Sequence, residues 1–288
     1  AQVCLADAQA RQWAAARLFE LLDEVRPDLL KWDNNFWLAC TRGGHGHGAW
    51  DGDFRHVRGL TSILQALRER YPDMRIENCS GGGNRLSFDL LEWTDLGWMD
   101  DRSAPSTRVR HHLEGLSAAF PPAYLYSFVM DHDSERLMET ADVPWMFRSR
   151  MPGALGLSWR GEGMVEAPRE LAAREIAIYK LTREITRDAF AMVLTEQVPH
   201  AGAAAWDVVQ HVSASSGASV VFAFEGAGAP ERDTVRLRKL DPAREYALES
   251  PDAGPLGVHS GLDLMTTGIE LRASARSRAH ILVLHPIR

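Results

Sequence analysis

The sequence predicts an α/β protein in which part of a (β/α)8 TIM-type barrel is followed by a small antiparallel β-sandwich. Up to about residue 200, short apolar strands alternate with amphipathic helices, the pattern of parallel β/α construction. After that point the helices give way to short alternating strands separated by Gly, Pro and Asp turns. The predicted domains are residues 1–199, corresponding to barrel strands four to eight, and residues 200–288, the sandwich.

Individual elements follow from the spacing of apolar residues. Helices are predicted at 8–25, 54–71, 86–93, 106–119 and 168–190. Barrel-type strands are predicted at 29–33, 74–79, 96–100, 124–129 and 153–159, the first as a buried strand. Sandwich strands are predicted at 206–212, 219–224, 234–238, 245–248, 271–273 and 280–284. Because barrel closure needs about eight strands, three more are expected before residue 1.

Polar residues follow the carboxyl ends of the predicted parallel strands: Asp33, Cys79, Asp101, Asp131 and Trp159. In a (β/α)8 barrel those ends form the active face. A Rossmann-like sheet would also bind ligands there, but no Gly-x-Gly-x-x-Gly follows a first strand. We therefore expect the functional site at this end of the strands.

Composition excludes several partners. The net charge is −7 and the pI is near 5.9, so the basic stripe that nucleic acid requires is not expected. No apolar run approaches the roughly 18–20 residues of a membrane span. Cys4, Cys40 and Cys79 are widely spaced, which predicts neither a disulfide framework nor a Cys-x-x-Cys metal site. Reduced thiols favour a cytoplasmic location.

Lys31 and Asp33 end the first predicted strand and lie on the same side of it. Burying both charges is costly unless they are paired with each other or with a ligand. A strand-end ion pair is one explanation. The other is a pocket in which a carboxylate attacks an anomeric carbon beside a cation that orients sugar hydroxyls.

The glycine run 79–85 (Cys-Ser-Gly-Gly-Gly-Asn-Arg) follows the second strand and lets the backbone approach a ligand closely. A tight turn is the simpler explanation, and a phosphate loop is disfavoured because the Gly-Lys-Ser/Thr ending is missing. Asp100 ends the predicted third strand and Asp101 comes next, so the two side chains are expected to point to opposite sides if the strand continues, and either could cap the next helix. A retaining glycosidase needs two carboxyl groups about 5–5.5 Å apart, which Asp33 and Asp101 could supply.

A metal-dependent hydrolase using His45, His47, Asp51 and Asp53 is a minor alternative, since His-x-His with Asp occurs in such enzymes. We expect this segment to be a substrate-side loop instead, and no metal or organic cofactor is predicted. No Gly-x-Ser-x-Gly elbow supports a serine hydrolase.

Three segments together resemble glycoside hydrolase family 36, the bacterial α-galactosidases. Members carry Lys-Trp-Asp-x-Asn with the nucleophile, then Cys-Ser-Gly-Gly-Gly-x-Arg, then Trp-x-Ser-Asp with the acid/base. These appear in order at 31–35, 79–85 and 98–101. Resemblance extends to 144–148, 208–224 and 260–265, so it covers nearly the whole chain and the later part of the family's length.

The resemblance implies a retaining hydrolase that removes terminal α-linked galactose from oligosaccharides, with Asp33 as nucleophile and Asp101 as acid/base. It also implies a set of substrate-binding residues, namely Lys31, Trp32, Asn34, Asn35, Cys79, Ser80, Gly81, Gly82, Arg85, Trp98 and Arg108. Family members use no metal or cofactor. They are often oligomeric, and the composition does not contradict a homo-oligomer.

The chain departs from the family pattern at Phe36, Ser87, Asp100 and Ala104, so its sugar specificity could differ. Asp100 adds a negative charge beside Asp101, and like charges favour protonation of one carboxyl of such a pair. The alternatives in the same class are an α-N-acetylgalactosaminidase and a raffinose-type galactosyltransferase. A non-catalytic carbohydrate-binding relative is more distant, because binding alone needs no carboxylate pair.

Overall fold

The computed structural model describes residues 2–35, 40–130, 143–158, 166–274 and 277–287. The chain divides into two compact units, Ala1–Asp101 and Arg102–Arg288. Phe36, Asp131 and Trp159, to which the sequence drew attention, lie outside the described residues. Among the helices described, none combines the length and apolar character needed to cross a membrane.

The first unit alternates helices with parallel strands, as the sequence predicts. Its elements are α1 (Ala8–Val25), β1 (Leu29–Asp33), α2 (Gly52–Arg70), β2 (Arg75–Cys79), α3 (Phe88–Leu91) and β3 (Leu96–Trp98). Helix α1 begins where the Asp7 carboxylate accepts a hydrogen bond from the Ala10 backbone N–H at 2.7 Å. It ends at Arg26, which is in the left-handed conformation just before Pro27.

The strands of this unit pair in the order β1-β2-β3, all parallel. Lys31 lies opposite Glu77, and Asp33 lies opposite Cys79. Leu30 and Trp32 pack on the apolar core that helices α1 and α2 form with Ile76. Since side chains alternate along a strand, Lys31 and Asp33 point to the other side.

Two expectations for these strands were wrong in detail. Strand β1 is not buried: its residues are alternately exposed and half-buried, because in the described chain it pairs only with β2. Strand β3 ends at Trp98, so Asp100 and Asp101 lie in the loop beyond it. The strand alternation expected to send these two carboxylates to opposite sides therefore does not apply.

The second unit continues the β/α pattern and then becomes antiparallel. The β/α elements are α4 (Ser106–Leu116), β4 (Leu125–Met130), α5 (Val143–Arg148), β5 (Ala154–Ser158) and α6 (Glu166–Thr186). The later elements are β6 (Ala189–Val193), β7 (Trp206–Ser213), β8 (Ser219–Glu225), β9 (Arg232–Val235), β10 (Glu245–Ser250), β11 (Gly254–Ser260), α7 (Gly261–Thr266), β12 (Ile269–Arg272) and β13 (Ala279–Pro286). Strands β4 and β5 pair in parallel.

Six antiparallel strands form one sheet in the order β11-β10-β13-β8-β7-β6, and β12 pairs with β9. One face of the large sheet packs on α5 and α6 through residues such as Phe222 and Ile281. The other face shares a core with the small sheet, where Val221 and Leu284 meet Leu237 and Leu271. The predicted sandwich thus contains two sheets of unequal size.

The sequence misplaced three elements of this unit. Residues 189–190, predicted as the end of a helix, belong to β6, because hydrogen bonding to β7 outweighs their helical propensity. Strand β11 was missed because its Gly and Pro residues disfavour strands. Helix α7 was missed although Ser260 caps it by accepting from the Asp263 N–H at 3.0 Å. The predicted boundary at 199/200 stays a prediction.

Stability of the sandwich should depend on pH through His211. Complete burial lowers the pKa of this imidazole to about 3. The unfolded chain binds a proton at this imidazole near pH 6.5. The contribution of neutral His211 to stability is therefore fully present above about pH 6.5 and is lost as pH falls towards about 3. Between about pH 7 and pH 5 the free energy of unfolding of the wild-type protein should fall by about 2 kcal/mol more than that of the His211→Gln variant. Thermal unfolding at both pH values measures this, and a wild-type slope in His211→Gln would contradict it. The exposed His285 provides the control substitution, His285→Gln.

Candidate active site

Lys31 forms an ion pair with Glu77 across β1 and β2, with 3.0 Å between Nζ and Oε1. The Glu77 side chain is buried, whereas that of Lys31 remains 43% exposed. Burial by itself lowers the pKa of Lys31, but the hydrogen bond and charge of Glu77 outweigh it and raise that pKa. The Lys31 ammonium is therefore held in place as a cation, and part of its side chain remains accessible to solvent. Its partner is Glu77 and not Asp33, which leaves the Asp33 carboxylate outside this ion pair.

Asp33 ends β1 beside Cys79, which ends β2. Burial raises the pKa of the Cys79 thiol to about 11; Lys31 opposes this shift, and the hydrogen bond with Asp33 adds to it. The thiol is consequently protonated at neutral pH. In this state the thiol can donate a hydrogen bond to the Asp33 carboxylate and lacks the thiolate character of a nucleophilic cysteine.

The glycine run connects the end of β2 to the loop that carries Asp101. Gly81 and Gly82 have φ values of 49° and 83°, which L-residues with side chains rarely adopt. A Cβ on Gly82 would lie 3.2 Å from the Asp101 backbone nitrogen. The close approach that the sequence suggested for these glycines is thus made to the protein's own backbone at Asp101.

Trp98 links Lys31 to Asp101. The Lys31 ammonium lies 4.8 Å from the centroid of the Trp98 ring, within the range of a cation–π interaction. The indole N–H donates a hydrogen bond to Asp101 Oδ1 at 2.9 Å. The indole is buried and the Asp101 residue is exposed, so a rigid ring holds a carboxylate at the surface of the site.

Other predicted site residues hold the strand ends together. Arg85 donates to the carbonyls of Trp32 at 2.8 Å and Cys79 at 3.0 Å. Asn35 Oδ1 accepts from the Gly81 N–H at 2.7 Å. Asn34 donates its N–H to the Cys79 carbonyl at 3.2 Å, and Ser80 Oγ donates to the Asn34 carbonyl. These contacts fix the shape of the site, and roles in substrate binding stay predictions.

One predicted residue of the first unit, Trp32, is not brought to this cluster. The Trp32 ring packs in the apolar core, on the opposite side of β1 from Lys31 and Asp33. Arg108 lies in α4 of the second unit, and its assignment stays a prediction. The sequence missed Glu77, although an acidic residue within an apolar strand was a signal that could have identified it.

Restricting the backbone conformations open to the glycine run should destabilise the first unit. We expect Gly82→Ala to lower the free energy of unfolding by about 1–2 kcal/mol, because alanine is strained in the left-handed region. Gly43→Ala is the matched control, since a Cβ there would meet nothing within 4 Å. Thermal or urea unfolding measures both. Equal stability of the two variants would contradict the expectation.

Two carboxylates follow the ends of parallel strands of one sheet, and sugar hydrolases act through such a pair of carboxyl groups. Residues 2–188 match the melibiase family, and residues 206–284 match the C-terminal domain of glycosyl hydrolase family 36. The chain therefore belongs to glycoside hydrolase family 36, through its melibiase region and its C-terminal domain. The family resemblance stated from the three motifs is confirmed.

Several curated relatives are α-galactosidases. Alpha-galactosidase 2 of Pediococcus pentosaceus is 36% identical over 120 residues, covering 41% of this chain and 17% of that protein. Alpha-galactosidase AgaA of Geobacillus stearothermophilus is 26% identical, covering 75% of this chain and 29% of the relative. Alpha-galactosidase Mel36A of Lactobacillus acidophilus is 25% identical, covering 88% of this chain and 34% of that protein. The chain thus spans between 17% and 34% of the length of these relatives.

Solved structures support the fold. A complex of the family 36 α-galactosidase AgaA of Geobacillus stearothermophilus with raffinose matches 99% of this chain with a TM-score of 0.82 at 20% identity, over 39% of its own length. The galactosidase domain of the α-galactosidase–sucrose kinase AgaSK matches with a TM-score of 0.81 at 20% identity, covering 99% of this chain and 38% of its own. The predicted fold class, a partial TIM-type barrel followed by a sandwich, is confirmed.

Proposed function

We propose that the protein is a retaining glycosidase that removes terminal α-linked galactose from oligosaccharides, with Asp33 as nucleophile and Asp101 as general acid/base. The observation that carries this proposal is the chain of contacts from Lys31 through Trp98 to Asp101. It ties the strand that bears Asp33 to the loop that bears the second carboxylate. Similarity to α-galactosidases supports the choice of sugar.

Geometry supports pairing of the two carboxylates. Asp33 ends β1, and Asp101 follows β3, which is two strands away in the same parallel sheet. Neighbouring strands lie about 4.8 Å apart, so the two backbones start roughly two spacings apart and side chains can span the remainder. Retaining enzymes place the carboxyl groups about 5–5.5 Å apart, a separation that this arrangement permits.

In the first step Asp33 would attack the anomeric carbon while Asp101 donates a proton to the leaving oxygen, giving a covalent galactosyl ester. In the second step Asp101 would take a proton from water, which attacks the same carbon and releases galactose with retained configuration. The protonated Cys79 thiol would donate to Asp33 and orient it. The exposed side of Lys31 would bind sugar hydroxyls.

Solved structures of one family 36 α-galactosidase, AgaA of Geobacillus stearothermophilus, contain raffinose or stachyose, which supports α-galactosyl oligosaccharides as the proposed class of natural substrate. The test uses protein expressed from its complete reading frame. Para-nitrophenyl α-galactoside, α-N-acetylgalactosaminide and α-glucoside are compared by kcat/KM, and proton NMR identifies the first anomer released. We expect the galactoside to be preferred and α-galactose to appear first.

Each other outcome would overturn part of the proposal. β-Galactose as the first product would exclude the covalent intermediate. Preference for the N-acetylated sugar would change the specificity. Formation of longer oligosaccharides in place of free galactose from raffinose would indicate a transferase. Binding of these sugars without turnover would indicate a non-catalytic carbohydrate-binding protein.

A further inference from the structure

Four potential metal ligands meet in the first unit, on segments that the proposed catalytic mechanism does not use. The thiols of Cys4 and Cys40 and one ring nitrogen each of His45 and His47 all lie within 4.8 Å of one another. Cys40 Sγ is 3.3 Å from His45 Nδ1. Cys4 is buried, and the other three side chains are half-buried. Both cysteines are free thiols.

The fold builds this cluster from two distant segments. The segment around Cys4 is fixed to α2, where the Leu5 N–H donates to His56 Nδ1 at 3.1 Å. The loop that carries both histidines packs closely against the same segment. At Gly46, whose φ is 74°, a Cβ would lie 2.8 Å from the Ala6 carbonyl oxygen. Glycine at this position therefore lets the loop bring its imidazoles to Cys4.

His47 is held in the orientation and tautomer of a ligand. Its Nδ1 donates to the Gly48 carbonyl at 2.7 Å, which leaves a lone pair on Nε2. Nε2 is buried and has no hydrogen-bond partner within the described residues. A carbonyl that accepts the second ring N–H is the usual outer contact of a metal-bound histidine. An unsatisfied buried nitrogen would otherwise cost free energy.

We propose that Cys4, Cys40, His45 and His47 bind one structural zinc ion. Two thiolates and two neutral imidazoles are a common ligand set for tetrahedral zinc and neutralise its charge. With bonds of about 2.0–2.3 Å, neighbouring ligand atoms in such a site are roughly 3.3–3.8 Å apart, so binding would shorten the separations in the cluster by about 1.5 Å at most. All four positions are filled by protein, which makes the site structural and not catalytic.

The ligands differ from those considered from the sequence, where His45 and His47 were grouped with Asp51 and Asp53. Asp51 instead accepts from the Gly48 N–H at 2.6 Å and pairs with Arg55 at 3.0 Å, which closes the loop. The cysteines were not recognised because they are far apart in sequence and outside any short motif.

The test measures metal directly and does not depend on glycosidase activity. Protein expressed from its complete reading frame is made metal-free with a chelator and then titrated with Co²⁺ or Zn²⁺. We expect one Co²⁺ per chain, with the visible spectrum of a tetrahedral ion and a thiolate charge-transfer band, displaced by Zn²⁺. Cys40→Ser and His45→Ala should each weaken binding at least about tenfold. Cys79→Ser is the matched cysteine control and should bind as the wild type does.

Circular dichroism of each variant shows whether it has folded, and the wild-type titration stands even if a variant has not. Full binding by Cys40→Ser or His45→Ala would overturn the proposal. So would a Cys4–Cys40 disulfide, detected by non-reducing peptide mapping, in protein that binds no Co²⁺ after reduction. Asp33→Ala should bind Co²⁺ normally, so failure of the proposed glycosidase function would leave this result intact.

Discussion

Asp33→Ala should reduce kcat/KM on para-nitrophenyl α-galactoside by roughly 10⁴-fold or more, because without the carboxylate no covalent intermediate can form. A loss of this size corresponds to about 5 kcal/mol or more of transition-state stabilisation. Azide should partly restore turnover by entering the space that the carboxylate vacates. The rescued product is expected to be β-galactosyl azide, formed by one displacement with inversion. Steady-state kinetics and NMR of the product measure both effects.

Asp28→Ala is the matched control, since Asp28 is an exposed aspartate beside the opposite end of β1. It should change kcat/KM by less than about twofold, in keeping with the small effect of most surface substitutions. If Asp33→Ala retains substantial activity, or if azide yields the α-azide, Asp33 is not the nucleophile.

Asp101→Ala should produce the second largest effect, and its size should depend on the leaving group. Loss of a general acid costs typically about 10²–10⁴-fold when the leaving oxygen needs a proton. We therefore expect kcat/KM on raffinose to fall by a factor in this range. On dinitrophenyl α-galactoside, whose phenolate leaves without protonation, the rate of the first step should fall much less. Azide should now give α-galactosyl azide. Kinetics on both substrates, with product NMR, measure the difference.

Asp100→Asn separates the two adjacent carboxylates. Trp98 donates to Asp101, so the contact with the indole favours Asp101 as the acid/base. We expect Asp100→Asn to keep the wild-type ratio of rates on the two substrates. If Asp100→Asn shows the leaving-group dependence and Asp101→Ala does not, the two assignments must be exchanged.

Much of the fold was predictable because it depends on local patterns. The predicted bounds of α1 and β1 agree with the structure, since an Asp cap, helical apolar spacing and a proline mark them in sequence. Where pairing between distant strands decides the outcome, the prediction was less accurate. Strand β6 is the example, because Ala189–Val193 becomes a strand only by hydrogen bonding to β7.

The residues of the candidate site also separate into those that local sequence patterns predict and those that depend on distant contacts. Asp33, Asp101 and the glycine run could be named from the sequence, because they follow strand ends and lie within short motifs whose spacing is readable. The partners of Lys31 could not be named: Glu77 is its neighbour through strand register, and Trp98 reaches it across two strands. Trp32 lies within a motif as well, yet strand alternation directs its ring into the core.

By itself, therefore, the sequence determined the fold class and the family, and it supplied the two carboxylates proposed for catalysis, since each rests on residues close together along the chain. Only the tertiary structure decided which charges pair, which side of β1 each residue faces and that Cys4 meets Cys40, His45 and His47. The physical reason is that these contacts join residues far apart in sequence. Strand register, helix packing and the close approach of Gly46 to Ala6 bring these residues together, and no local sequence pattern predicts those contacts.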